Sequence, residues 1–348
     1  MPPSPSLSTP PNPPPTPTYP LYNTTYTLHR LSPLHSFTLS SLPSHASALS
    51  EILTGSTLRG VRIGLDSSDV SLSRAGGLRG VSMRPLRSPD NWAAVYAAVE
   101  PDETAREGGE GEGEGWGVII EITYEKASYT AILLRDITSP SSAPSTSSST
   151  TNGPEGGFTH LPLLLTRLPP PLRATLLDFL ATRFDTRASA MQLSSSFLKK
   201  ALGGYMDALV GGGGDVGGVV RDVVVSLAFP GTGAGEGGEG GGGLKGIDIT
   251  ISRDDIPNFL SRGRTANTAT ANKTNDHPFW TSLHTYSTKH LALDLSNPSV
   301  SVVKIACGAF VIAGEGRVKI STPSEGRGER EGAEGVVRML VAAAGRVG

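Results

Sequence analysis

Between residues 300 and 320 the chain is patterned as paired strand. Val303, Ile305, Cys307, Ala309 and Val311 take alternate places, and Lys304, Ala306, Gly308 and Phe310 fill the places between. A period of two sends successive side chains to opposite faces of an extended backbone. The first set is the more apolar and is assigned to the core, which leaves Lys304 and Phe310 on the outward face. Gly314-Glu315-Gly316 reverses the chain, and Val318 and Ile320 resume the pattern. The whole segment predicts a β-hairpin. Any fold that contains it needs an antiparallel sheet with something packed on one side.

Other segments fill in that sheet. Residues 22–34 are β-rich, with Thr24, Tyr26 and Leu28 alternating against Thr25, Thr27 and His29. Residues 58–65 (LRGVRIGL) and 78–83 read as two similar short strands, and residues 117–124 and 129–137 as a hairpin. Residues 222–229 form a compact apolar strand, and Ile247, Ile249 and Ile251 alternate with Asp248 and Thr250. Leu291, Leu293 and Leu295 also read as strand. The middle of the chain is helical. Leu172, Leu176, Phe179, Leu180 and Phe184 recur at helical spacing behind Pro169–Pro171. A second helix is predicted over about residues 188–210, with Leu193, Phe197, Leu198, Leu202 and Met206 on one stripe. Ser252 and Asp255 suggest a capping box opening a short helix toward Phe259 and Leu260. Pro278 opens another that carries Phe279, Leu283, Tyr286 and His290. Residues 336–344 fit helix or strand equally well. Strands, then a helical pair, then strands again define an α+β fold with a mostly antiparallel sheet. A doubly wound dinucleotide fold would need a regular strand–helix alternation.

Low-complexity stretches separate these elements. Residues 1–18, 101–115, 139–157 and 231–243 are Pro, Ser, Thr, Gly and Glu with almost nothing to bury, so they are expected to be mobile. They divide the chain into a Pro-rich tail over 1–18, a β-rich region over 19–138, an insert over 139–157, and a helical pair followed by a sheet over 158–348. The formal net charge of −2 does not suggest bulk binding to nucleic acid. A single cysteine, Cys307, excludes an intramolecular disulfide and any site with two cysteine ligands. No secretory signal and no membrane-spanning apolar run is seen.

The chain carries few signatures of chemistry. Gly211–Gly218 follow a helix instead of opening one, and Lys245 is followed by Gly246, so neither glycine run fits a phosphate loop. There is no nucleophile elbow, and Cys307 reads as a buried small hydrophobe. His277, His284 and His290 are spaced poorly for a metal and lack supporting ligands; His290 reads as a core residue. Asp248, Asp254 and Asp255 read as a helix N-terminal cluster. Arg262, Arg264 and Lys273 read as a basic polar loop, which keeps a direct DNA-binding module open as one alternative. An uncharacterised α+β enzyme or small-molecule binder is another. No cofactor and no metal is expected.

Four stretches resemble the fungal centromere protein L family: residues 19–37 (YPLYNTTYTLHRLSPLHSF), 57–65 (TLRGVRIGL), 246–260 (GIDITISRDDIPNFL) and 290–320 (HLALDLSNPSVSVVKIACGAFVIAGEGRVKI). The resemblance implies a curved, mostly antiparallel sheet flanked by helices, in a non-enzymatic nuclear scaffold of the inner kinetochore. It implies a heterodimer with the sister subunit, centromere protein N, mated through the C-terminal region over 158–348. The centromeric nucleosome would be reached mainly through that partner, beside other inner-kinetochore subunits and away from any membrane. Within the C-terminal hairpin, Lys304, Phe310, Val318 and Ile320 are the expected partner-binding residues, with Phe310 the exposed aromatic anchor.

Overall fold

The computed structural model describes residues 18–58, 74–89, 115–136, 157–213, 220–229, 245–269, 276–324 and 326–346. The four stretches expected to be mobile lie outside these residues, apart from residues 18, 115 and 157. Thirteen strands and six helices are described: β1 (Thr25–Leu31), β2 (Leu34–His35), α1 (Leu42–Leu58), β3 (Leu78–Leu86), β4 (Gly117–Tyr124), β5 (Ser128–Leu134), β6 (Phe158–Thr159), β7 (Leu163–Arg167), α2 (Pro170–Phe184), β8 (Ala188–Ala190), α3 (Ser195–Gly211), β9 (Val223–Ala228), β10 (Gly246–Ile251), α4 (Ile256–Ala269), α5 (Pro278–Leu291), β11 (Ser301–Ala306), β12 (Phe310–Ala313), β13 (Arg317–Ile320) and α6 (Arg327–Gly345). The fold is α+β around one open, mostly antiparallel sheet in the order β10-β9-β11-β12-β13-β1-β7-β5-β4-β3, with β8 pairing the far end of β1.

Strand β1 is the junction. Thr25–Thr27 pair with β13, Thr27–Arg30 pair with β7 on the other side, and His29–Leu31 pair with β8. The first and last thirds of the chain therefore belong to one sheet.

Side-chain alternation then sorts the core into two layers. Ile119, Ile132, Leu134, Leu163 and Leu165 point to one face. Their neighbours Val118, Ile120, Ala131, Leu133 and Leu164 point to the other. Both faces of β7, β5 and β4 are thus apolar, and both are covered. Helices α1 and α2 pack on the second face through Leu42, Ala46, Leu49 and Leu53, and through Leu172, Leu176, Phe179, Leu180 and Phe184. Helices α3 to α6 pack on the first face. The predicted helical pair, α2 and α3, is therefore split across the sheet. The short strand β8 carries the chain past β1 between them. That strand also moves the start of α3 from the expected residue 188 to Ser195, whose N-cap Ser194 accepts a bond from the Phe197 N–H at 3.2 Å.

The structure departs from several of the elements expected from the sequence. Leu58 closes α1, and residues 59–65 of the expected LRGVRIGL strand lie outside the described residues. Helix α1 falls where no element was assigned, since Ser and Thr obscure its apolar spacing. Residues 262 and 264 lie on α4, not in a loop, and Lys273 is outside the described residues. The Ser252 side chain makes no cap bond; a short 3₁₀ turn leads into α4 instead. Leu291 ends α5, and residues 292–300 turn instead of extending as strand. Residues 336–344 are helix, with Val336, Val337, Leu340, Val341 and Ala344 buried along one stripe of α6. That helix lies close on α3, because Gly328 and Gly332 leave room against Ala208 and the Tyr205 ring.

His45 is buried between Phe37, which it stacks on, and Phe184, which it meets edge-on. Neither ring nitrogen has a hydrogen-bond partner among the described residues. Desolvation first, and then the Arg183 charge, hold its pKa below the ordinary histidine value. Desolvation likewise lowers His29 and His277. A histidine with a depressed folded-state pKa binds fewer protons folded than unfolded, so its stability contribution is present at neutral pH and is lost as pH falls below about 6.5. Thermal unfolding followed from pH 8 to 5 should show a midpoint that falls steadily on the acid side. His45→Leu removes an unsatisfied polar ring. It should stabilise the neutral-pH protein by about 1–3 kcal/mol and flatten part of the acid decline.

Candidate partner-binding surface

The alternating run at residues 303–311 is not one strand. Extended pairing stops at Ala306, the chain turns through Cys307–Ala309, and Phe310 starts the next strand. The turn is closed by the Cys307 N–H donating to the Phe310 carbonyl at 2.9 Å. With the turn at Gly314-Glu315-Gly316, the region is a three-stranded meander, β11-β12-β13. A bulge between Val302 and Lys304 shifts the phase of β11.

Ile305 is core as expected, but the bulge turns Val303 outward, and the turn brings Phe310 inward and Val311 toward the other face. Val302, Ile305, Phe310, Ile312, Val318 and Ile320 all lie in the core. Phe310 is 1% exposed and meets Tyr205 of α3 edge-on, with ring centroids 5.5 Å apart. Val303, taken as core, is exposed at 37%. Of the four expected partner-binding residues, only Lys304 reaches the surface; Phe310, Val318 and Ile320 hold the meander onto the helices beneath it. Cys307 is half-buried at the turn and packs against the core, as a small hydrophobe does. Burial pushes its thiol up to about 11. That keeps the thiol protonated and unreactive at neutral pH.

The opposite face of the same strands is the distinctive surface. The ladders align Thr250 with Val224, Val224 with Ala306, Ala306 with Val311, Val311 with Lys319 and Lys319 with Thr25. Lys304, Ala313 and Arg317 lie beside them in register. All of these residues are half-buried or exposed. The hydrophobic cluster on this side of the sheet, built with α1 and α2, ends at β1 and does not extend over β9–β13. Among the described residues, half of the sheet is therefore clothed on both faces and half on one. The meander is interior to the sheet, between β9 and β1, so among the described residues the free edges belong to β10 and β3. Its accessible surface is a face, not an edge.

The other sequence candidates lie apart. His277 caps α5 by accepting from the Phe279 N–H, and its Nε2 sits 3.2 Å from Asp207 of α3. His284 lies 3.6 Å from Asp294, and His290 is exposed, not buried as expected. No group of three metal-ligating side chains occurs among the described residues. Asp254 and Asp255 occupy the first turn leading into α4, and Asp248 stands on the uncovered face. Among the described residues, no helix is long and apolar enough to cross a membrane.

Among the described residues, the large antiparallel sheet thus has one dressed and one half-dressed face. The family described as Centromere protein L matches residues 20–345, nearly the whole chain, and this chain belongs to that family. It is a structural family of the centromere and kinetochore, located in the nucleus and concerned with chromosome segregation. Among curated proteins none matches.

The core position of Phe310 sets a clear expectation. Phe310→Ala empties a fully buried site against Tyr205 and should destabilise the chain by about 3–5 kcal/mol. Denaturant unfolding of the purified variant checks this. An unchanged midpoint would place Phe310 outside the core.

Proposed function

We propose that this chain is a non-enzymatic scaffold subunit of the inner kinetochore. In this reading it forms a heterodimer with a centromere protein N-like sister subunit and, through that partner, helps link the centromeric nucleosome to the rest of the assembly. The observation that supports it best is the uncovered face over β9–β13. Its middle is small and β-branched, with Val224, Ala306, Val311 and Ala313 and with Lys304 standing among them, and its margins carry Asp248 toward β10 and Arg317 and Lys319 toward β1. An apolar centre with a charged margin is the usual anatomy of a protein–protein contact. The helices and core beneath present these strands as a rigid platform. A net charge of −2 agrees with nucleosome contact made mainly by the partner.

Affinity purification of the tagged chain from nuclear extract should recover the sister subunit in equal amount. Ala306→Arg combined with Val311→Arg roughens the face without touching the core beneath. It should weaken that recovery at least tenfold, the scale of losing an interface hot spot of about 2 kcal/mol, with little change in the thermal midpoint. Undiminished recovery would remove this face from the interface, and the absence of any centromere partner would remove the reading itself.

A further inference from the structure

A cleft adjoins the uncovered face, sharing Thr25 and Arg317 with it, where β1, β5, β7, β13 and the start of α2 come together. It is an open cleft of about 740 Å³. Four cations line it from four separate places in the chain: Lys126 in the β4–β5 turn, Arg167 at the end of β7, Arg173 in the first turn of α2, and Arg317 at the start of β13. The hydroxyls of Thr25 and Thr27 on β1 add donors. Among the described residues that line the cleft, none is acidic. Arg317 has a carboxylate beside it, Glu315 at 3.2 Å, but both are well exposed. Among the described residues, Lys126, Arg167 and Arg173 have no ion-pair partner. Helix α2 begins here with Pro169 and Pro170, without a side-chain cap and without an acidic residue in its first turn, so its positive end is not neutralised.

Bringing like charges together in a concave site is unfavourable unless an anion is meant to join them. Three of the four cations are arginines, whose planar forks match the oxygens of a phosphoryl group in paired bonds. The size of the cleft suits a few residues of extended chain, whereas specific duplex recognition spreads over about 1,000 Å² or more of protein surface. The charge of the whole chain, −2, gives no long-range attraction to nucleic acid. Arg262 and Arg264, the basic pair most visible in the sequence, stand on α4, which has no part in this cleft.

We infer that this cleft binds a peptide segment phosphorylated on serine or threonine, with the phosphoryl group held by Arg167, Arg173 and Arg317 and the flanking chain lying along Lys126 and the β1 hydroxyls. The full-length chain is titrated with a fluorescent degenerate peptide pool carrying one fixed phosphothreonine, with the same pool unphosphorylated, and with a short DNA duplex. The phosphorylated pool should bind at least about tenfold more tightly than its counterpart. Arg167→Glu with Arg317→Glu should abolish the difference, and Arg262→Glu with Arg264→Glu should leave it intact. Thermal unfolding confirms that each variant folds, and Arg167→Gln with Arg317→Gln replaces the charge reversal if that one does not. Equal binding of the two peptide pools overturns the inference. So does tighter binding of the duplex that the same cleft variants abolish, which would make this a nucleic-acid contact.

Discussion

Everything in this molecule hangs on the pairing of β1 with β13 on one side and β7 on the other. Residues almost 300 positions apart share that ladder, as Thr25 opposite Lys319 illustrates. Closing so large a loop costs conformational entropy, though the cost grows only slowly with length. It is offset by the apolar surface that the ladder brings together. Tyr26 and Leu28 enter the larger core with Val318 and Ile320, while Leu31 enters the smaller one with Leu164. Without β1 the chain would hold two unconnected half-sheets.

The same strand marks where the character of the sheet changes. On the β7-β5-β4 side the strands are apolar on both faces, and helices cover both. On the β13-β12-β11-β9 side the strands enter a buried core on one face only, and four helices crowd there. Antiparallel sheets tolerate this arrangement, because the second face can meet water or a partner. The two surfaces of interest flank the transition. Among the described residues no helix lies over the outer face of β9–β13, and the basic cleft opens where α2 begins to cover the sheet.

Much of this was legible from sequence wherever a single period dominated. The stripe Leu172, Leu176, Phe179, Leu180 and Phe184 is buried as a set. Residues 117–124 and 128–134 pair as the hairpin their composition indicates. The assignment of Phe310 failed because one period was extended across a turn. Cys307–Ala309 turn around the single Gly308, which the alternation counts as a strand position, and the bulge at Val302–Lys304 slips the phase as well. The bulge leaves Val303 outward and Ile305 inward, and the turn then inverts the parity again, so the alternation carried through from Val303 is right at Ile305 and wrong at Phe310. Strand β7 escaped notice for another reason. A strand buried on both faces reads as a plain apolar run, without the alternation that announces a half-buried one.

The sequence by itself determined the class of fold, the low-complexity stretches and the family, because composition, period and motif order are properties of local stretches. Tertiary structure alone decided which face of each strand is core, which sides of the sheet the two middle helices take, and which part of the sheet stays uncovered. It also decided that Lys126, Arg167, Arg173 and Arg317 share one cleft while Arg262 and Arg264 do not. These are consequences of register and of strand order. Both are set by long-range pairing between segments that carry no mark of one another until β1 is laid between β13 and β7.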